Sequence, residues 1–229
     1  MPELPEVESI RRVLKNSLIN QKLQKYKIFD QRINRFNTVN PRNLGVLLEI
    51  NRKGKILQFN FKNNSIFFHL GMSGRLDLNG TKNKHTHGIF FFDKDILLYD
   101  DIRKFGYIKI LKNDLANKQF SILGPDALSL SKLDKIFVMN KAKKSSTSIK
   151  KFLLNQKNIS GLGNIYVNEI LFLAGIHPHS VSFKLQDTNW NDIFLYTKKV
   201  LKKAIKNNGT TLSDMTVSYT HLTLPTIRE

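Results

Sequence analysis

Apolar residues recur at spacings of three and four near the start of the chain, at Val7, Ile10, Leu14 and Leu18. This period is typical of a helix that buries one face, so the pattern predicts a helix over residues 5–18. Such a helix would hold the N-terminus of the chain at a fixed place on its domain.

Between residues 22 and 111 the pattern changes to short runs rich in β-branched and aromatic residues, separated by turn signals such as Asn79-Gly80. Many short strands joined by tight turns favour an antiparallel β-sandwich. The predicted strands cover residues 22–29, 45–50, 55–61, 65–70, 88–92, 96–99 and 106–111.

Helical periodicity returns in the second half of the chain, with predicted helices over residues 167–174 and 191–207. Gly209 is predicted to end the second of these helices. The fold class is therefore α+β: an N-terminal antiparallel β-sandwich flanked by helices, followed by a helical domain. The predicted domain bounds are residues 2–111 for the sandwich, 112–131 for a linker and 132–214 for the helical domain.

The charge balance points to a polyanionic partner, because 37 lysines and arginines against 18 acidic residues leave a net charge of +19. Nucleic acid is the commonest such partner. A lysine-rich genome could also inflate this number, but it would not explain the placed motifs below. No apolar run reaches the roughly 18 residues of a membrane helix, and no signal peptide is evident, so a cytoplasmic protein is expected. The absence of cysteine excludes disulfides and thiolate metal sites.

The first residues carry candidate chemistry. If Met1 is removed, the chain begins with the secondary amine of Pro2 beside the carboxylate of Glu3. An α-amino group has a pKa of roughly 7.7 to 8.0, so it is partly unprotonated near neutral pH and can attack a carbonyl-type carbon. A neighbouring carboxylate can then shuttle protons. On local pattern alone, an ordinary helix start with Pro5 and Glu6 is the stronger interpretation.

The opening MPELPEVE resembles the N-terminus of formamidopyrimidine-DNA glycosylases, the bacterial repair family for oxidised purines. The resemblance implies that Pro2 is the nucleophile, that Glu3 assists proton transfer and that Glu6 orients the N-terminal turn. RKGKIL, further along, resembles a family segment in which Lys55 matches an active-site lysine. Without the resemblance, Lys55 would be interpreted as a solvated lysine.

Two loops resemble the DNA-intruding loops of the same family. In HLGMSG, Met72 matches the methionine that enters the DNA stack, and the flanking glycines allow close approach of the backbone. In DIRKFG, Arg103 matches the arginine that fills the gap left by an extruded nucleotide, and Phe105 matches the wedge beside it. Ile102 departs from the proline that the family commonly has there. Taken alone, Met72 would fit a buried strand end better.

Further DNA contacts follow from the resemblance. His85 lies in KHTH, a weak metal signal, and matches a residue that contacts DNA. Lys144 and Lys150 lie in a basic run with interleaved hydroxyls, which suits phosphates, although such a run is usually a solvated face. Asn164 lies in GLGNIY, which resembles the helix-two-turn-helix of this superfamily, where a helix N-terminus can bind an anion.

The resemblance ends near residue 214. The family continues with a lesion-binding loop and a zinc finger built on four cysteines, whereas residues 215–229 form an atypical tail without cysteine, which we expect to be a truncation or an artefact. No metal or organic cofactor is therefore expected in this chain.

The implied function is a bifunctional DNA glycosylase and AP lyase. It would excise 8-oxoguanine and formamidopyrimidines from double-stranded DNA through an N-terminal proline imine, as a monomer associated with the bacterial nucleoid. Two alternatives stay open. One is a truncated homologue that binds DNA without turning it over, and the other is a basic RNA- or ribosome-associated protein, suggested by charge alone.

Overall fold

The computed structural model describes residues 2–34 and 44–207 of the chain. Gly209 and the tail over residues 215–229 lie outside the described residues. In chain order the elements are α1 (Leu4–Leu18), β1 (Lys22–Ile28), β2 (Gly45–Val46), β3 (Glu49–Lys53), β4 (Ile56–Asn60), β5 (Asn64–His69), β6 (Gly74–Leu78), β7 (Thr86–Phe92), β8 (Ile96–Asp101), β9 (Tyr107–Lys112), α2 (Asn113–Ser121), α3 (Lys132–Lys143), α4 (Ile149–Leu154), α5 (Asn164–Leu173), a short 3₁₀ helix (Ser182–Lys184) and α6 (Asp187–Lys206).

Helix α1 confirms the predicted amphipathic helix and begins one residue earlier than predicted. Its apolar stripe, from Val7 to Leu18, is fully buried. The helix packs against β3 on the sandwich side and against α6 on the helical side. The N-terminus of the chain is therefore held between two parts of the fold.

Two antiparallel sheets form the sandwich, with strand orders β2-β1-β7-β8-β6 and β3-β4-β5-β9. Their inner faces meet through aromatic side chains. Phe68 of β5 lies 5.2 Å from Phe90 of the opposite sheet and 4.9 Å from Phe59 of its own, measured between ring centroids. Edge-to-face pairs of this kind add to the free energy gained by burying the rings. The predicted α+β class and the sandwich are confirmed.

Two predictions of strand limits were wrong. The run predicted as one strand over residues 45–50 is divided between β2 and β3, which belong to different sheets. The chain crosses over at Leu47, which is buried, and Leu48, which is 55% exposed. Strand β6 was not predicted, because Arg75 and Asp77 interrupt its apolar positions. Both polar residues lie on the face of β6 opposite Leu76, and Arg75 pairs with Asp100 of β8.

Helix α2 lies within the stretch predicted as a linker. Its buried Ala116 and the half-buried Phe120 pack against Phe67 of β5, and the two phenylalanine rings lie 5.5 Å apart in an edge-to-face arrangement. This part of the connection therefore adds a layer to the outer face of the second sheet.

A second core lies in the helical part, around Trp190, Phe152 and Tyr166. Leu4 of α1 belongs to this core and not to that of the sandwich, so the first turn of α1 is packed against the helical domain. Ser148 caps α4 by accepting a hydrogen bond from the backbone N–H of Lys151. Over the described ranges, no helix combines the length and the apolar character needed to cross a membrane.

Candidate active site and DNA-binding face

Glu3 lies where the start of α1 meets the start of α5, and it is only 1% exposed. Its carboxylate accepts hydrogen bonds from the backbone N–H groups of Ile165 at 3.0 Å and Tyr166 at 3.5 Å. The first N–H groups of a helix have no partner within the helix, and the helix dipole favours a negative charge there. The N-terminus of α5, which the sequence pattern marked as an anion site, thus binds a carboxylate of the protein itself.

Burial raises the pKa of the Glu3 carboxyl above its ordinary value. The hydrogen bond from Ile165 and the positive charge of Lys55 oppose this effect without cancelling it. A carboxyl group that holds its proton more tightly is better suited to donate one near neutral pH. The environment of Glu3 therefore suits the proton-transfer role that the resemblance implies.

Glu6 holds the peptide that follows Pro2. Its Oε2 accepts a hydrogen bond from the backbone N–H of Glu3 at 2.9 Å, and its Oε1 accepts one from the hydroxyl of Tyr166 at 2.5 Å. Glu6 is almost fully buried and Pro2 is half-buried. These contacts are what an orienting role for Glu6 requires.

Lys55 follows the tight turn between β3 and β4 and is half-buried. Burial lowers the pKa of its amine, and the negative charges of Glu3 and Glu6 only partly oppose this. A Cβ atom built on Gly163 would lie 2.3 Å from the Glu3 carboxyl carbon and 2.6 Å from the Lys55 Nζ. Both side chains therefore touch the same backbone position, and the structure brings together the four residues assigned to catalysis.

Gly163→Ala is expected to displace Glu3 or Lys55, because the added methyl group would overlap both. Gly163 has φ −133°, which any residue adopts, so the effect is purely steric. We expect a loss of about 1–3 kcal/mol in the free energy of unfolding and at least a tenfold slower cleavage of an abasic duplex, roughly the cost of misplacing a catalytic group.

Gly175→Ala is the matched control for that substitution. Gly175 has φ +63° and no atom within 4 Å of the added Cβ. Its free energy of unfolding should fall by about 1 kcal/mol through backbone strain alone. It should cleave the abasic duplex at the rate of the parent chain. Urea unfolding and strand cleavage measure the two effects separately. Cleavage by Gly163→Ala at the parental rate would contradict the contacts assigned to Glu3 and Lys55.

A buried ion network supports this site, and no sequence pattern had indicated it. Arg52 binds Glu8 at 3.0 Å and makes a two-pronged contact with Asp126 at 2.6 and 3.1 Å. Asp126 also accepts a hydrogen bond from the backbone N–H of Gly54 at 2.8 Å, and Arg52 donates to the Gly54 carbonyl at 2.9 Å. The turn that precedes Lys55 is thus fixed by a carboxylate from the connection to the helical domain.

Glu8 is the acidic partner on α1. Burial alone would raise the pKa of its carboxyl, but hydrogen bonds from Arg11, Arg12 and Arg52 outweigh burial and lower it to about 2. Glu8 therefore stays ionised over the whole range in which the protein would work. The network holds α1, β3 and the inter-domain connection together.

Three side chains assigned to DNA are exposed in two neighbouring loops. Met72 is 41% exposed and Phe105 is 50% exposed. The guanidinium carbon of Arg103, which is also exposed, lies 4.7 Å from the centre of the Phe105 ring. A cation over an aromatic face is attracted to it, so the two side chains form one projecting unit.

The two loops are tied to each other by Asp101. One of its carboxylate oxygens accepts a hydrogen bond from the Ser73 hydroxyl at 2.6 Å, and the other accepts one from the Gly106 N–H at 2.8 Å. The backbone N–H of Arg103 donates to the Ser73 oxygen at 2.9 Å. A Cβ on Gly71 would come within 2.5 Å of the Gly106 nitrogen, so the loops meet backbone to backbone. Met72 and Arg103 are consequently presented from one rigid base.

The remaining predicted DNA contacts lie in both domains. His85 is half-buried, and its carbonyl accepts from the N–H of Asp101 at 3.0 Å, which places it beside the arginine loop. Lys144 is exposed at the end of α3, and Lys150 is half-buried in the first turn of α4. Asn164 is exposed as the first residue of α5. Their contacts with DNA stay predictions.

The zinc finger that the resemblance associates with this family does not fit the residues present. The chain has no cysteine. Within residues 2–34 and 44–207, no three histidine, aspartate or glutamate side chains come together as a set of metal ligands.

The two-sheet sandwich and the helical domain, with the Glu3 side-chain carboxylate buried at the start of α5, define the class of protein: solved DNA glycosylases have the same fold, with TM-scores of 0.83 and 0.85. The family models for the N-terminal domain and for the H2TH domain of formamidopyrimidine-DNA glycosylase match residues 1–108 and 123–216. The chain belongs to the formamidopyrimidine-DNA glycosylase family.

Individual relatives agree with this assignment. The formamidopyrimidine-DNA glycosylase of Psychromonas ingrahamii is 35% identical over 93% of this chain and 82% of its own length. The Lactococcus lactis enzyme bound to DNA that contains FAPY-dG is 31% identical, with a TM-score of 0.85 over 93% of this chain and 84% of its own. The Lactococcus lactis enzyme bound non-covalently to DNA with an AP site has a TM-score of 0.83 at 30% identity, over 93% of this chain and 83% of its own. The predicted resemblance is confirmed.

Proposed function

We propose that this chain is a bifunctional DNA glycosylase and AP lyase for oxidised purines, and that it acts through an imine formed by Pro2. The observation that carries the proposal is the burial of Glu3 against both the α5 helix start and Lys55, one peptide unit from the Pro2 amine. The relatives found in complex with abasic-site and FAPY-dG DNA support double-stranded damaged DNA as the substrate. The monomeric state and the cytoplasmic, nucleoid-associated location stay predictions.

The first step is extrusion of the damaged nucleotide, because a stacked base hides its glycosidic carbon. Extrusion costs a few kcal/mol. Met72 and the paired side chains of Arg103 and Phe105 project from a common base and are suited to fill the vacated stack. The lysines of the helical domain would hold the phosphates of the distorted strand.

The second step is attack of the Pro2 nitrogen on C1′ of the sugar, once Met1 has been removed. The nitrogen forms a bond to C1′, and the base departs with the electrons of the glycosidic bond and takes up a proton. Glu3 donates a proton to the ring oxygen, so the sugar opens and a cationic imine remains. Lys55 lies beside Glu3 and supports the negative charge of the phosphate or the base.

The third step breaks the strand. The cationic imine withdraws electrons and acidifies the hydrogens on C2′. Loss of one such proton forms a C2′–C3′ double bond and expels the 3′ phosphate with its bonding electrons. Water then hydrolyses the imine and restores the Pro2 amine. No external oxidant or reductant is needed, because every step transfers only protons and electron pairs.

The experiment that tests the proposal compares binding with cleavage on three duplexes, which are intact, contain an abasic site, or contain 8-oxoguanine. We expect salt-dependent binding to all three and cleavage of the two damaged ones. Binding without cleavage would contradict the proposal and leave a DNA-binding homologue that does not turn over. Preference for structured RNA over abasic duplex would favour the interpretation based on charge alone.

Arg103→Ala is expected to slow excision of 8-oxoguanine by about 10- to 100-fold, because it removes a side chain whose stacking on a base would contribute about 1–3 kcal/mol. Cleavage at an abasic site should slow less, because no intact base pair must be opened there. Single-turnover rates on the two duplexes measure the difference.

Lys94→Ala is the matched control for the lost positive charge. Lys94 is exposed on the turn between β7 and β8, and its backbone N–H contacts Gln21 just beyond the end of α1. Helix α1 has 15 residues, so this turn is about 22 Å from the N-terminal site along the helix. Equal slowing of both duplexes by Arg103→Ala, or slowing by Lys94→Ala, would contradict a role of Arg103 in extrusion.

A further inference from the structure

We infer that the hydroxyl of Tyr166 is a positioning group for the nucleophile, which acts from the helical domain through Glu6 on the peptide that carries Pro2. The inference rests on the proline-imine chemistry proposed above. It adds to that chemistry a residue to which the resemblance assigns no role. It also implies that the orientation of the Pro2 amine depends on the contact between the two domains.

The geometry is a chain of two hydrogen bonds through one carboxylate. The Tyr166 hydroxyl donates to Glu6 Oε1 at 2.5 Å, and the Glu3 N–H donates to Glu6 Oε2 at 2.9 Å. The Glu3 nitrogen belongs to the peptide bond that Pro2 forms. The two oxygens of Glu6 therefore act separately, since one binds the helical domain and the other holds the N-terminal peptide.

The hydroxyl matters because it holds one side of the Glu6 carboxylate while the Glu3 N–H holds the other. With both oxygens engaged, Glu6 has a fixed orientation and fixes the Glu3 peptide. A misplacement of a reacting group by about 1 Å can cost about 100-fold in rate. Fixing the position of the Glu3 peptide therefore fixes the position of the Pro2 amine.

Tyr166 also touches the second carboxylate of the site. Its backbone N–H lies 3.5 Å from Glu3 Oε2, within the first turn of α5. The same residue therefore contacts the proton-transfer group through its main chain and the orienting group through its side chain. Any shift of α5 relative to α1 would move both contacts together, so the site is assembled only when the two domains are docked.

Packing alone does not account for the hydroxyl. The Tyr166 ring is fully buried in the apolar core of the helical domain, beside residues such as Leu4 and Val167. A phenylalanine ring would fill the same space. A buried hydroxyl needs a hydrogen-bond partner, and the Tyr166 hydroxyl donates to Glu6 of α1. Tyr166→Phe therefore removes the bond to Glu6 and leaves the core volume unchanged.

The test uses the full chain with Tyr166→Phe. Imine formation is followed by borohydride trapping under single-turnover conditions at saturating abasic duplex, and the Kd for the same duplex is measured separately. We expect trapping to slow by about 10- to 100-fold, since the buried Glu6 side chain loses a hydrogen-bond donor. The Kd should stay within about twofold, because the side chain is fully buried away from the exposed loops. If Tyr166 served only to pack the core, Tyr166→Phe would not slow imine trapping while leaving the Kd unchanged.

Tyr196→Phe is the matched control, since Tyr196 lies on α6 of the same domain and is half-buried. It should leave both quantities unchanged. Glu6→Gln and the double variant with Tyr166→Phe complete a cycle. If Tyr166 acts through Glu6, the double variant is no slower than the slower single variant. Additive losses, or a parental trapping rate in Tyr166→Phe, would overturn the inference while leaving the imine chemistry intact.

A measurement without DNA separates the two proposals further. The Pro2 amine is labelled with an activated ester, and the N-terminal peptide is quantified by mass spectrometry. We expect several-fold faster labelling in Tyr166→Phe than in the parent chain, because Glu6 no longer holds the Pro2–Glu3 peptide in a fixed orientation. If the parent chain traps no imine, the proposed chemistry fails. Faster labelling would then still support the positioning role, and equal labelling would overturn it.

Discussion

Glu3→Gln is expected to slow cleavage of an abasic duplex by about 100-fold or more, the usual contribution of a general acid or base. The amide keeps an oxygen that can accept the hydrogen bond from Ile165, so the first turn of α5 stays occupied. What is lost is the acidic proton, which a carboxyl group can transfer and an amide cannot. Single-turnover cleavage at saturating duplex measures this loss directly.

The same substitution is expected to raise the free energy of unfolding at neutral pH. The folded-state pKa of Glu3 is raised by burial above its unfolded value of 4.5. The stability linked to this group is therefore fully present below pH 4.5 and is lost as pH rises through the folded-state pKa. Glutamine has no charge to bury, so the gain should appear at pH 7 and vanish near pH 4. Urea unfolding of both proteins at the two pH values gives the sign, and a variant that is less stable at pH 7 would contradict the burial of Glu3.

Arg52→Met is expected to cost about 3–5 kcal/mol in the free energy of unfolding, because it leaves the largely buried Asp126 carboxylate without its cation and removes one of the three arginines that bind Glu8. The Arg52 side chain is only 6% exposed and joins Glu8 to Asp126. The turn before Lys55 would also lose a contact from Arg52 to the Gly54 carbonyl. We therefore expect slower cleavage together with lower stability, measured on the same preparation.

Arg12→Met is the control, since Arg12 binds the same Glu8 but its side chain is 58% exposed. Its free energy of unfolding should fall by no more than about 1 kcal/mol.

The parent chain should also become less stable in acid. The pKa of Glu8 is about 2 when folded, against an ordinary value of 4.5, which corresponds to about 3 kcal/mol that is present above pH 4.5 and lost as pH falls towards 2. Equal stability of Arg52→Met and the parent chain at neutral pH would contradict the network.

Local patterns predicted the elements that pack on one side only. The spacing of Val7, Ile10 and Leu14 defines one buried face, and α1 follows it closely. The pattern over residues 45–50 failed because consecutive apolar residues serve two sheets, and periodicity cannot show which sheet a residue joins. Strand β6 was not predicted because the charged residues Arg75 and Asp77 alternate with its apolar residues.

The candidate site was predictable where its residues fall in short segments that match the family, as Lys55 does. Pro2, Glu3 and Glu6 stand within one turn and match a family motif. The bond from Tyr166 to Glu6 spans 160 positions, and that from Arg52 to Asp126 spans 74. Such pairs are set by the packing of domains and not by local propensity, so a single sequence contains no periodic sign of them.

The central claim is that the Pro2 amine forms an imine with damaged DNA, and borohydride trapping tests it most directly. The protein, with removal of Met1 confirmed by mass, is mixed with an abasic duplex and reduced, and the covalent product is digested and mapped. We expect a protein–DNA band that maps to the N-terminal peptide and weakens in Pro2→Gly. Tight binding to the duplex without any covalent band would contradict the claim.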